Sequence, residues 1–184
     1  MAQRRGLLVM AASALVGCGF ELQRSPALRV RSVHLSGFPT GSTVAGKLRS
    51  SIEATPSTQV VDSPAQAQLV FVALQDARER GVVATTSSGQ VRELQLRTRL
   101  RYELRSASGR QLGEPVEMLL TRDMSYNERT ALAKEQEEAL LYAVMENDIV
   151  GQVMRRLAAV SLPAAAAASA ASVSSGASGG AAAR

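Results

Sequence analysis

Residues 91–105 read VRELQLRTRLRYELR and contain the clearest pattern of the chain. Apolar or small uncharged side chains alternate with charged and amide side chains along most of this stretch. Because successive side chains of a strand point to opposite faces of a sheet, the alternation predicts a strand with one buried and one open face. The side chains predicted to face the core are Leu94, Leu96, Thr98, Leu100, Tyr102 and Leu104. The open face carries Arg97, Arg99, Arg101 and Arg105, which we call the arginine ladder.

Three further segments have strand patterns, namely residues 28–35, 68–84 and 112–124. The second begins apolar, becomes polar and turns apolar again, which indicates a long strand with a bend or bulge near Gly81. The third follows a predicted hairpin turn at residues 106–110 and contains Pro115. Since proline has no N–H for a strand ladder, this segment is predicted to be an edge strand or to contain a bulge.

Two segments have helical patterns. Residues 43–54 place Val44, Leu48 and Ile52 on one stripe, behind a cap at Ser42 or Thr43. Residues 127–159 form a long amphipathic stretch with Asn127 as its cap. Its predicted inner face consists of Leu140, Ala143, Asn147, Val150, Met154 and Leu157. The element order predicts an α+β two-layer sandwich (βαβββα), in which two helices cover one face of a four-stranded, mostly antiparallel sheet.

The first 17 residues are typical of a signal peptide. Arg4 and Arg5 precede an apolar run of about eleven residues, which at about 1.5 Å each is too short to cross a bilayer core of about 30 Å. The run ends in Leu15-Val16-Gly17-Cys18, a lipobox pattern around the single cysteine of the chain. We therefore expect Cys18 to be lipidated and to anchor residues 18–160 at the membrane, with Gly19 favouring the outer membrane.

The C-terminal residues 161–184 have a different composition. Ala, Ser and Gly make up 20 of these 24 residues. A segment with so few large apolar side chains cannot offset the entropy of ordering, so a disordered tail is expected.

The amino-acid composition argues against several classes of function. With one His and one Cys, no metal site of the usual His/Cys type is expected, and neither is a cofactor site, since no glycine-rich phosphate loop occurs. The sequence also lacks a nucleophile with a matching base, so no enzyme is predicted. The net charge of +5 falls to +3 without Arg4 and Arg5, and aromatic residues make up only 3%, so no nucleic-acid partner is expected. Two interpretations of the arginine ladder stay open: a site for an anionic partner, or a solvated sheet face.

Two stretches resemble the LptE family of lipopolysaccharide-assembly lipoproteins. One is the lipobox with its Cys18-Gly19-Phe20 opening, and the other is the start of the long helix, RDMSYN at residues 122–127 and ALAKE at residues 131–135. The second match continues through Glu137, Glu138, Leu141, Met145, Asp148, Gln152 and Arg155-Arg156-Leu157.

The resemblance implies a lipoprotein that plugs the lumen of the large β-barrel LptD, helps it to assemble and assists lipopolysaccharide insertion at the outer membrane. It also implies lipopolysaccharide binding by basic residues, and Lys134 matches the lysine of the Ala-Leu-Ala-Lys motif. The loop at residues 85–90 lacks a basic residue, and Arg92 is the nearest substitute. The alternative is a free-standing periplasmic lipoprotein that binds an anion through the ladder.

Overall fold

The structure is a computed structural model, and it describes residues 28–160. The predicted signal peptide (residues 1–17), the lipidation site Cys18 and the predicted tail (residues 161–184) lie outside the described residues.

The chain forms five strands and two α-helices. In order they are β1 (Ser32–Ser36), α1 (Thr43–Glu53), β2 (Gln59–Val60), β3 (Leu69–Thr85), β4 (Val91–Ser106), β5 (Val116–Ser125) and α2 (Ala131–Ala159). Short 3-10 turns at Pro64–Gln66 and Glu128–Thr130 precede β3 and α2. The α+β class predicted from the sequence is confirmed.

The sheet differs from the prediction in strand number and direction. It has five strands in the order β2-β1-β3-β4-β5, whereas four were predicted. β1 pairs in parallel with both β2 and β3, and β3, β4 and β5 are antiparallel, so the sheet is mixed. The parallel pairs arise because α1 carries the chain back between β1 and β2, and residues 61–68 carry it back again before β3. β2 has only two residues, too few for any alternation to reveal it.

Several element boundaries also shift. The first strand begins at Ser32, although Leu28 and Val30 before it are buried. β3 contains register shifts between Ala73 and Gln75 and again at Val82–Thr85, so the irregularity expected near Gly81 lies just after that residue. The last strand starts directly after Pro115 and lies at the sheet edge, as predicted.

Both helices pack on one face of the sheet, which we call the inner face. All six side chains of β4 predicted to face the core are buried. The three apolar residues of α1 join them, and their burial supplies the main stabilisation of the fold, at about 1.5–3 kcal/mol per large side chain. Phe71 stacks between Phe38 and Tyr102, with ring centroids 5.6 Å and 4.5 Å away.

The predicted inner face of α2 was wrong in its N-terminal half. Leu140 is 68% exposed and Asn147 is also exposed, whereas Val150, Met154 and Leu157 are buried as expected. The side chains that face the sheet earlier in the helix are Tyr142, Met145, Glu146 and Ile149. The buried stripe contains a tyrosine and a glutamate, while a leucine lies outside it. The hydrophobicity pattern therefore predicts the wrong face of the helix.

Glu146 is a buried carboxylate that joins three elements. Its side chain is 2% exposed. Oε1 accepts hydrogen bonds from Thr43 Oγ1 at 2.8 Å and from Arg78 Nε at 2.6 Å, while Oε2 lies 3.1 Å from Lys47 Nζ. Lys47 also donates to the carbonyl of Ala143, and the Arg78 guanidinium lies over the ring of Tyr142. We call these groups the Glu146 cluster, and they tie α1 and β3 to α2.

The surroundings of Glu146 keep its carboxylate ionised. Burial alone would raise the pKa of Glu146, but the hydrogen bonds from Thr43, Lys47 and Arg78 and the positive charge of Arg78 outweigh burial and lower it. A buried charge is tolerated when its hydrogen bonds are satisfied in this way.

Candidate functional site

The face of the sheet away from the helices, the outer face, carries the arginine ladder. Strand alternation places Arg97, Arg99, Arg101 and Arg105 on this face of β4. The strand registers place Glu79 of β3 and Glu117 and Asp123 of β5 beside the same positions. The centre of the outer face therefore carries both arginine and carboxylate side chains.

Two ladder arginines bind carboxylates of their own sheet. Arg99 Nη1 donates to Glu117 Oε1 at 2.5 Å, and its Nε lies 4.0 Å from Glu79 Oε1. Arg105 Nε donates to Glu103 Oε1 at 2.6 Å, and Glu103 is buried on the outer face. These guanidinium groups are already compensated, which reduces the positive field of the face.

The other two ladder arginines are less constrained. Arg97 Nε donates to Gln95 Oε1 at 2.9 Å, and Gln95 in turn donates to Asp123 Oδ1 at 2.9 Å. Within residues 28–160, Arg101 has neither a salt bridge nor a side-chain hydrogen bond, and it is exposed. Leu119 is 46% exposed beside Arg99. The outer face thus offers hydrogen-bonding groups of both signs and an apolar contact.

The remaining predicted residues lie at the far end of the sheet. A cleft of about 540 Å³, which we call the hairpin cleft, opens between the β3–β4 turn and the start of α2. Its lining includes Thr86, Arg92, Ser125, Asn127 and Arg129.

Lys134 stands beside this cleft. Its Nζ donates to Ser125 Oγ at 3.0 Å, and Ser125 lines the cleft. Glu137 Oε2 also accepts from Lys134 at 2.7 Å. The structure therefore brings Arg92 and Lys134 to one place, apart from the arginine ladder.

Arg129 is a basic residue of the hairpin cleft that the sequence analysis missed. Its position depends on the 3-10 turn before α2, where Asn127 Oδ1 accepts from the backbone N–H of Arg129 at 3.0 Å. The recognised cap at Asn127 was a usable signal, because the residue two positions after a cap lies in the first turn.

Within residues 28–160, no group of three or more His, Cys, Asp and Glu side chains could hold a metal ion. In the same range, neither helix combines the length and apolar character that a membrane span requires. His34 is partly exposed in β1, and its Nδ1 lies 2.9 Å from the carbonyl oxygen of Val61.

Solved structures with the same fold come from bacterial lipoproteins. An uncharacterized lipoprotein B from Nitrosomonas europaea is 29% identical, with a TM-score of 0.65, and the match covers 77% of this chain and 91% of that chain. A rare lipoprotein B from Shewanella oneidensis is 21% identical (TM-score 0.54, coverage 79% and 97%). A minor lipoprotein from Acinetobacter baumannii is 19% identical (TM-score 0.57, coverage 72% and 93%). These last two likenesses establish the fold.

Comparison with protein families gives a specific result. No curated protein matches the chain significantly. The family model of LptE, described as lipopolysaccharide-assembly, matches residues 30–157. This range includes all five strands, α1, and α2 up to Leu157. The chain therefore belongs to the LptE family of lipopolysaccharide-assembly proteins.

Proposed function

We propose that the chain is an outer-membrane lipoprotein, anchored through Cys18, that plugs and helps to assemble an LptD-like β-barrel and assists the insertion of lipopolysaccharide. The role is one of binding and assembly, without turnover. Family membership supports the link to lipopolysaccharide assembly.

The observation that best supports a barrel as the partner is the composition of the outer face. A wide barrel has a polar interior. A sheet face with both arginines and carboxylates can exchange its hydrogen bonds with such a wall, whereas a strongly apolar face could not. The exposed Arg101 and Leu119 lie in the middle of this face and are free to contact a partner.

The hairpin cleft is the proposed contact for lipopolysaccharide. Arg92 and Arg129 line it and Lys134 stands next to it, against one lining carboxylate, Glu128. Guanidinium and ammonium groups in this arrangement suit the phosphates of lipid A.

The alternative, a free-standing anion binder that uses the ladder, is less favoured. Arg99 and Arg105 would have to leave their carboxylate partners to bind an external anion. Within residues 28–160, the guanidinium groups of Arg92 and Arg129 form no salt bridge or side-chain hydrogen bond, although Lys134 is paired with Glu137.

Photo-crosslinking in cells tests the barrel contact. A photoreactive amino acid at Leu119, on the outer face, should crosslink the lipoprotein to a large outer-membrane protein. The matched position is Leu140, which is exposed on α2 away from the sheet. Equal crosslinking from both positions, or none from Leu119, would contradict the proposed orientation.

Charge removal at the hairpin cleft tests lipopolysaccharide binding. Combining Arg92→Ala with Lys134→Ala is expected to weaken binding of purified lipopolysaccharide by about 100-fold or more, since two charge-assisted contacts of about 1.5–3 kcal/mol each are lost. Binding is measured by retention of labelled lipopolysaccharide.

The control for that experiment is the double variant Arg49→Ala with Arg155→Ala, which removes two exposed positive charges elsewhere. The assignment fails if both double variants lose the same amount of binding, because the effect would then depend on net charge alone.

A further inference from the structure

A second cleft, separate from the outer face and the hairpin cleft, lies on the inner face near the end of α2. We call it the Tyr102 cleft. Its volume is about 250 Å³, and its apolar walls come from Leu104, Leu112, Val116 and Val160. Tyr102 and Arg156 also line it.

Tyr102 is the unusual residue of this cleft. It is 1% exposed, and among residues 28–160 its hydroxyl has no hydrogen-bond partner. A buried hydroxyl without a partner is costly, and tyrosine hydroxyls usually find one when they are buried. The other buried tyrosine in the described range, Tyr142, follows this rule, because its hydroxyl donates to the carbonyl of Glu79 at 2.8 Å.

Arg156 supplies a second unpartnered donor. It is exposed at the mouth of the cleft and, within residues 28–160, forms no salt bridge or side-chain hydrogen bond. Arg156 and Tyr102 line the same cleft. Burial raises the pKa of Tyr102, and the positive charge of Arg156 partly offsets that rise.

The acidic groups of the lining do not satisfy these donors. The carboxylate of Glu103 is bound by Arg105. Glu114 is exposed at the rim, where solvent screens its charge. The cleft therefore has an exposed donor, Arg156, a covered donor without a partner, the Tyr102 hydroxyl, and an apolar floor.

We infer that the Tyr102 cleft binds a medium-chain carboxylate, whose oxygens accept from Tyr102 and Arg156 while its hydrocarbon chain lies against Leu104, Leu112 and Val116. The flexible side chain of Arg156 moves aside to admit the ligand, since it is exposed and has no partner to hold it.

Octanoate is the probe for this site. It is titrated into the chain from residue 18 onward with Cys18→Ala, and methyl NMR signals of Leu104, Leu112 and Val116 are followed. Saturable shifts are expected, with binding about 10-fold weaker in Tyr102→Phe and in Arg156→Gln. Arg155→Gln is the matched control and should bind as the parent does. Octylammonium, which carries the opposite charge, should not bind.

A second measurement tests whether the Tyr102 hydroxyl lacks a hydrogen-bond partner in the folded protein. Tyr102→Phe removes a hydroxyl that makes no hydrogen bond, so the melting temperature should stay the same or rise. Tyr142→Phe removes a hydroxyl that does make one and should lower it. Equal losses in the two variants would overturn the inference, as would absence of saturable shifts or unchanged octanoate affinity in Tyr102→Phe.

Discussion

Replacing Glu146 with glutamine is expected to lower the free energy of unfolding by about 2–3 kcal/mol at neutral pH. The substitution keeps the size of the side chain but removes the charge that Lys47 and Arg78 share. Removing one partner of a fully buried ion pair costs about 3–5 kcal/mol. A smaller loss of about 2–3 kcal/mol is expected for Glu146→Gln because the side chains of Lys47 and Arg78 are 31% and 44% exposed and can regain water.

The matched control for Glu146→Gln is Glu137→Gln on the same helix. Glu137 pairs with Lys134 at the surface, and its side chain is 46% exposed. Exposed pairs of this kind contribute about 0–1 kcal/mol, so this variant should unfold at nearly the parent urea concentration. If urea denaturation finds Glu146→Gln as stable as the parent, the cluster does not hold α1, β3 and α2 together.

Stability should also depend on pH through Glu146. Its pKa is lowered in the folded protein, so the folded state favours the ionised form. The resulting stability is fully present above the unfolded value of about 4.5 and is lost as the pH falls through the folded pKa. Glu146→Gln should remove this part of the acid dependence, which urea denaturation below pH 5 measures.

Reversing Arg97, Arg99 and Arg101 to glutamate together is expected to abolish stable association with the barrel while leaving the protein folded. The inner face is untouched, so the core keeps its contacts. The outer face loses the Arg99 pairs with Glu117 and Glu79, and three negative charges replace three positive ones, a net change of six. The loss of surface pairs and the new like-charge neighbours should cost about 1–2 kcal/mol of stability, well short of unfolding.

Cells that depend on this variant should admit large antibiotics that the intact outer membrane excludes. The control reverses Arg49, Arg110 and Arg155, which changes the net charge equally at exposed positions off the outer face. Normal outer-membrane permeability with the ladder variant would mean that the arginine ladder is only a solvated surface.

The parts of the fold that the sequence revealed are those with long, regular patterns. β4 alternates from Leu94 onward because it lies inside the sheet with one face under the helices and one face open. By contrast, β2 is two residues long, and its pairing depends on the return path of the chain. The inner face of α2 was obscured because Glu146 is buried while Leu132 and Leu140 are exposed.

For the candidate site on the outer face, the sequence predicted which residues are present but not which residues they contact. The arginines of β4 follow from alternation alone. The neutralisation of Arg99 depends on Glu79 and Glu117, which come from different strands, and on a register that shifts between Ala73 and Gln75. No local pattern in the sequence reports a cross-strand register of this kind.

The central claim, that the chain works as a barrel-bound assembly factor, is tested most directly by affinity purification. The full-length lipidated protein is purified from detergent-solubilised outer membranes, and its partners are identified by mass. The account predicts a large β-barrel protein in stoichiometric amount. Recovery of the lipoprotein alone, without a stoichiometric β-barrel protein, would contradict it.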